Sequence, residues 1–298
     1  MLGINNGSVI ACIHKMRLSW NLHGEIKTVP ALHNLMVSEE FRHGLGFTFL
    51  MRSVMGEDHA LIPGVGPFLA EAYRKLKYQH VNSCWYRKIL TPVKGGMILG
   101  LKKIINYQVP GRYFSSTDVA GKKNSSSSIQ LSFDPPDEII GALLSILNQK
   151  PGDQVFPHWS VEQFKWRFFH PLGPRHLLIY CPSQDQIKDF IILSLGPRNG
   201  LNVGRIVEMD TSSKNRLKSM LQEAEKVLKR FGGHVLLIFS SNSRLNEMLR
   251  QLSYKPIKNP PETFFYHKRR KEIFDNPCLN GSAGDLGFEA IAPIPEEA

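Results

Sequence analysis

The stretch NLMVSEEFRHGLGFTFLMRSV, Asn34 to Val54, decides how the chain is read. Leu35 and Val37 alternate with Asn34 and Met36, the period of a half-buried strand. Phe47, Leu50, Met51 and Val54 recur at helical spacing, so a helix begins near Gly46. Between them lie Arg42, His43, Gly44, Leu45 and Gly46, two glycines one residue apart at a strand-to-helix junction. Such a junction serves as a tight turn, or as a cradle for phosphate, because the first amides of a helix have no partner within it and attract anions.

Outward from this junction the chain alternates strand and helix patterns. Upstream, SVIACIHKMRL and IKTV read as two strands joined by the turn HGE, and ALHNLMV follows Pro30 as another. Downstream, HALIPGVG is a strand ending in a Gly/Pro turn, and PFLAEAYRKLK is a helix with Pro67 in its first turn. YQHVNSCWYRKIL returns as one or two strands. From Tyr107 to Ser128, Gly, Ser and Lys dominate without apolar periodicity, the composition of a linker or long loop. SIQLSF is then a strand, PPDEIIGALLSILNQ a helix, and SVEQFKWRFF a second helix with Ser160 as N-cap and Gln163 completing a capping box. Strands at His176–Cys181, Asp189–Leu195 and Gly204–Met209 precede an amphipathic helix from about Ser213 to Phe231, stopped by Gly232 and Gly233. The chain thus divides into a first domain at 1–106, a linker at 107–127, a second domain at 128–275 and a loosely ordered tail at 276–298.

At 298 residues and 42% hydrophobic content, the chain can build two cores. It has no apolar run long enough to span a bilayer and no secretory pattern at its start, so the cytoplasm is the expected location. Its four cysteines are far apart, with no CxxC pair, and read as reduced thiols; no spacing suggests a metal site or a Ser-His-Asp triad. A net charge of +11 favours an anionic partner: nucleic acid, membrane headgroups, a phosphorylated cofactor or an anionic glycan. The basic clusters His267–Glu272, Ala120–Asn124 and Leu101–Ile104 lack interleaved aromatics, which disfavours nucleic acid.

The two halves also repeat. LAEAYRKLKYQHV (Leu69 to Val81) aligns with LNEMLRQLSYKPI (Leu245 to Ile257), with five identities in thirteen positions. Each copy follows a strand and turn, and each is preceded by two strands, a strand ending at Val37 or Met209, and a helix. A shared order of elements points to duplication.

Strand, glycine turn, helix, strand, helix, strand resembles the GNAT acyltransferase superfamily. MVSEEFRHGLGFTFL resembles its pyrophosphate loop, R-x-x-G-x-G/A, and AYRKLKY its Y-x-K-x-G-F stretch. The resemblance implies an α/β protein of two tandem GNAT-like domains, each a mixed central sheet flanked by helices. The first would lack its N-terminal elements. Tandem members of this kind occur with bacterial exopolysaccharide biosynthesis. The resemblance further implies acetyl-CoA, or another short acyl-CoA, as cofactor. Its pantetheine arm would lie along Leu35, Met36 and Val37, and its phosphates against Arg42, His43, Gly44, Leu45, Gly46 and Phe47. Glycines without Cβ atoms let a ligand approach the amides closely. Two departures stand: the loop is one residue shorter than the family pattern, and Lys77 occupies a position usually held by glycine.

Tyr73 matches the family tyrosine that protonates the leaving thiolate, a task suited to a neutral O–H donor; Leu249 stands there in the second copy. His33, beside the strand that lines the site, is the leading candidate for the base, with His43 and Glu40 as rivals. His158, His170 and Trp166 either face the acceptor or pack a helix pair. The second copy reads EMDTSSKNRL where the glycines would be, so cofactor binding belongs to the first. The resemblance implies an acyl-coenzyme A-dependent N-acetyltransferase acting on a small-molecule or glycan amine, an amino sugar or glycan precursor first and a protein or peptide amine after it. A noncatalytic tandem binding module is the alternative, and a basic nucleic-acid binder ranks below both.

Overall fold

The computed structural model describes residues 1–41, 45–92, 95–98, 111–114, 129–150, 154–183, 186–198, 200–268 and 279. Arg42, His43 and Gly44, most of 107–127, nearly all of the tail and most of the basic clusters lie outside these residues.

Strand β1 (Leu2–Asn5) turns at Asn6 and Gly7 into β2 (Ser8–Leu22), which turns at His23 and Gly24 into β3 (Glu25–Val37). All four turn residues have positive φ (47°, 80°, 54° and 93°), the conformation that matches the twist of a two-residue hairpin. IKTV and ALHNLMV are therefore one strand, in which Pro30 only removes one donor from a long ladder with β2. A 3₁₀ turn (Glu39–Phe41) leads toward α1 (Leu45–Val54), and β4 (His59–Val65), α2 (Pro67–Lys75) and β5 (Gln79–Val81) follow.

YQHVNSCWYRKIL forms two strands that belong to different sheets. β5 stays in the first, while β6 (Cys84–Ile89) crosses into the second. The remaining elements are β7 (Gln130–Ser132), α3 (Asp137–Leu147), β8 (Val155–Pro157), α4 (Val161–Phe168), β9 (His176–Ser183), β10 (Gln186–Arg198) and β11 (Leu201–Asp210). After them come α5 (Lys214–Arg230), β12 (Val235–Ser240), α6 (Ser243–Gln251), β13 (Lys255–Pro256) and β14 (Glu262–His267). Ser160 caps α4 through the Gln163 N–H, and Ser213 caps α5 through the Arg216 N–H.

The first sheet runs β1-β2-β3-β4-β14-β5, with β8 paired to β2; the second runs β13-β6-β12-β11-β10-β9-β7. Each sheet thus receives strands from the other half. β6 inserts between β12 and β13, running from Val235↔Ile89 to Ser240↔Cys84, and β14 inserts between β4 and β5. The segments 1–106 and 128–275 therefore interlock instead of standing as two closed sheets.

Packing fixes this exchange. Phe264 and Phe265 of β14 are buried on opposite faces of their adopted sheet. Phe264 joins the outer core with Phe49, Leu50 and Tyr73, while Phe265 meets Trp20 at 6.1 Å in the core shared by both sheets. Burying a phenylalanine is worth about 3–5 kcal/mol when judged by truncation to alanine. Ion pairs anchor the visitors: Lys88 of β6 meets Glu225 of α5 at 2.6 Å, and Glu262 of β14 pairs with Arg74 of α2. Tyr254 O–H also donates to Glu225, at 2.7 Å.

A chain comprising 128–298 alone lacks β6, so β12 has an open edge and β13 has no ladder partner. We expect it to be unfolded or aggregated by circular dichroism and gel filtration. Separate chains 1–127 and 128–298 produced together should recover a folded, co-eluting complex.

Candidate active site

A wedge opens in the first sheet. β3 and β4 are parallel and share one ladder pair, Ala31↔Leu61, yet β3 continues along β2 as far as Ala11↔Val37. Two parallel strands that share a single ladder pair leave the rest of their facing edges without a ladder between them, the kind of gap that can admit an extended ligand. The register of β3 also shifts between the Cys12↔Met36 and His14↔His33 pairs, a bulge within the part that borders the wedge. Leu35 and Val37 pack partly against the outer core, whereas Met36 is exposed.

Helix α1 begins beyond the mouth of this wedge, with Leu45, Gly46 and Phe47 in its first turn. It docks through Phe49, Leu50 and Val54 onto Ala11, Ile13 and Leu32. The helix is thereby tied to β2 and to β3, one of the two strands that form the wedge. Arg42, His43 and Gly44, the rest of the expected cradle, lie outside the described residues.

Tyr73 lies on the inner face of α2 in that same core, only 3% exposed. Its ring meets Tyr78 at 5.1 Å and Phe264 at 5.3 Å, so the exchanged β14 forms one wall of its pocket. Burial, reinforced by neighbouring Tyr78, pushes its phenol far above the ordinary tyrosine range. The group stays protonated and can donate. His33 is half-buried on β3 and stands edge-on to His14 with ring centroids 5.6 Å apart. Glu40 is exposed on the 3₁₀ turn, Trp166 is 61% exposed on α4, and His170 is exposed as well.

The second sheet repeats the wedge. β11 and β12 are parallel from Val203↔Val235 to Ile206↔Ile238, after which β11 continues along β10 to Asp210. Here, however, the helix approach is already occupied. The buried Asp189 carboxylate accepts from the Ser212 N–H at 2.6 Å, the Ser212 hydroxyl at 2.9 Å and the Thr211 hydroxyl at 3.1 Å. These loop donors ahead of the helix are thus taken by a side chain of the protein itself. Leu249, fully buried, replaces the tyrosine. A cavity of about 180 Å³ remains at this mouth, bordered by Lys150, Asp210, Asn242 and Arg244, and burial raises the Asp210 carboxyl above the usual range. Asp189 is in the sequence-predicted strand, but its capping role depends on a contact between β10 and the loop after β11, which spacing does not show.

The repeat extends to individual hydrogen bonds. The Leu76 and Leu252 N–H groups donate to Ala72 and Met248, those of Lys77 and Ser253 to Arg74 and Arg250, and those of Tyr78 and Tyr254 to Tyr73 and Leu249. Lys77 and Ser253 both have left-handed backbones, with φ of 60° and 66°. That explains why glycine suits this position and why lysine there is strained.

Among the described residues no group of three or more His, Cys, Asp or Glu side chains is placed to hold a metal ion. No described helix is long and apolar enough to cross a membrane.

No family model and no curated protein matches the sequence. Solved structures do resemble the fold. An N-myristoyltransferase of Saccharomyces cerevisiae with bound myristoyl-CoA matches with a TM-score of 0.62 and 12% identity, over 94% of this chain and 74% of that one. Another of the same enzyme, with myristoyl-CoA and inhibitors, gives 0.62 at 14% identity, over 96% and 71%. A GCN5-related N-acetyltransferase from Anabaena variabilis gives 0.50 at 13% identity, over 88% of this chain and 60% of that one.

Replacing Lys77 by glycine removes the Cβ that a left-handed residue tolerates poorly, a penalty of about 1 kcal/mol. We expect Lys77→Gly to raise the thermal midpoint by a few degrees, and Ser253→Gly to act in the same direction. Together with the wedges and the exchanged strands, the shared turn establishes a tandem, mixed α/β GNAT-like fold.

Proposed function

We propose that this chain transfers an acyl group from acyl-coenzyme A to an amine, using the wedge of the first sheet. The observation that carries this reading is the difference between the two wedges. One opens toward a glycine-bearing helix start; the other has its loop amide and hydroxyls bonded to Asp189. With the loop donors of the second already taken, the first is the better match for a phosphate-rich ligand. The fold neighbours whose structures contain myristoyl-CoA are consistent with this class of cofactor.

Bound acyl-coenzyme A supplies a thioester, which an amine attacks to form an amide as the carbon–sulfur bond breaks. The chain's own residues divide the remaining work. The edge of β3 from Leu35 to Val37 offers backbone groups to the pantetheine amides. The amides of Gly44 to Phe47, with Arg42 and His43, face the phosphates. His33 accepts the proton that the amine loses, with His43 and Glu40 as the other bases within the same segment. Tyr73 donates a proton to the departing thiolate, as a phenol that burial holds in its protonated form. Acetyl or another short acyl group is the expected cargo. The residue missing from the loop favours one second reading, a module that binds acyl-coenzyme A without turnover.

Calorimetry with acetyl-coenzyme A separates these readings from a basic nucleic-acid binder. Gly44→Glu should abolish binding, because it adds bulk and like charge beside the phosphates, while Ser212→Ala with Ser213→Ala should leave binding nearly intact. The reverse pattern would place the cofactor in the second half. Tyr73→Phe should keep affinity and lower turnover by roughly 100-fold, the low end for losing a general acid. Tight binding with no turnover across a broad amine panel would establish the noncatalytic reading.

A further inference from the structure

A second cavity lies against the face of the second sheet and reaches the first. It measures about 490 Å³, within the range of small-molecule sites. Trp85, Arg87 and Ile89, alternate residues of β6, line it along one face. Val203, Val235 and Leu237 continue this wall on β11 and β12.

The two ends differ in chemistry. At one end stand Trp85, Ile257, Pro261 and Gly64. They are held together by the bond from the Ile257 N–H to Trp85 O and by the Glu262↔Val65 pair. Gly64 belongs to β4, a strand that bounds the first wedge, three residues beyond Leu61. At the other end are Ile89, Val235, Leu201 and Arg198, joined through the Val235↔Ile89 and Arg198↔Leu201 pairs. Four residue steps along β6, from Trp85 to Ile89, span about 13 Å. Arg87 projects between the ends, and Arg198 stands at the far one. His234 lines the cavity too, with its Nδ1 accepting from the Asn202 N–H at 3.0 Å.

We infer that this cavity holds the acceptor: an elongated, apolar primary amine with a carboxylate or phosphate at its far end. The amine part of this inference rests on the transferase reading above. The Gly64 end, carried by a strand that bounds the wedge, takes the amine; the apolar wall takes the body; Arg198 at the far end, with Arg87 along the way, takes the anionic group, for which a guanidinium is well shaped. An amino sugar fits poorly. Its hydroxyls would face Val203, Val235, Leu237 and Ile257, and a buried hydroxyl without a partner is costly.

The test uses the full chain and three probes: 12-aminododecanoate, dodecylamine and glucosamine. By calorimetry without acyl-coenzyme A, 12-aminododecanoate should bind at least tenfold tighter than dodecylamine, and glucosamine should not bind. Leu237→Trp, which fills the cavity, should abolish this binding while acetyl-coenzyme A still binds, and a thermal melt checks that the variant folds. Arg87→Glu with Arg198→Glu should erase the preference for 12-aminododecanoate over dodecylamine. Given acetyl-coenzyme A, the wild-type chain should N-acetylate 12-aminododecanoate. Glucosamine binding, or 12-aminododecanoate affinity unchanged by Leu237→Trp, would overturn the assignment. Acetyl-coenzyme A binding without 12-aminododecanoate binding overturns it while leaving the cofactor site in place. Binding of 12-aminododecanoate to a chain that does not bind acetyl-coenzyme A would overturn the acceptor role and the transferase reading together.

Discussion

The exchange of β6 and β14 is the constraint on which the rest of the structure depends. Each sheet is completed by a strand from the other half, and each visiting strand is fixed by burial and by a charged pair, Lys88 with Glu225 or Glu262 with Arg74. Because β14 pairs with the far edge of β4, it holds in place a strand that bounds the first wedge, and it supplies Phe264 to the pocket of Tyr73. Because β6 crosses over, Trp85 and Arg87 reach the cavity that Gly64 borders. The strand exchange thus shapes the first wedge and the large cavity together.

Duplicated architecture has led to unequal chemistry. Both halves keep a parallel pair that separates, a helix after it, and a left-handed turn after the next helix. In the second half Asp189 takes the loop's donors and Leu249 takes the tyrosine's position. Under the proposed function, these changes leave cofactor binding to the first half. Its sheet instead contributes the apolar wall of the large cavity, a division of labour that an asymmetric pair of wedges permits.

Much of this was legible in the sequence because it is local. The glycine-bearing junction, the Ser160 cap and the stop at Gly232 all depend on residues within a few positions of one another, and the five-identity repeat needs only the comparison of two short stretches. Lys77 was visible as a departure, and its positive φ gives the reason. The parts that periodicity cannot show depend on distant pairing. Cys84–Ile89 and Glu262–His267 look like ordinary strands in either half, and nothing in their alternation names the partner strand. Val155–Pro157 is too short to read as a strand until Trp20, Asn21 and Leu22 lie beside it. The candidate site was legible as a junction, but the wedge that gives it room became visible only from the single Ala31↔Leu61 pair.

Hydrogen exchange across the whole chain, with and without acetyl-coenzyme A, addresses the central claim most directly. Amides facing a bound pantetheine arm and phosphates exchange more slowly, and both wedges report in one experiment. The account predicts protection concentrated at residues 32–37 and at the start of α1, with residues 207–213 unchanged. Protection centred on 207–213, or none anywhere at saturating cofactor, would contradict it.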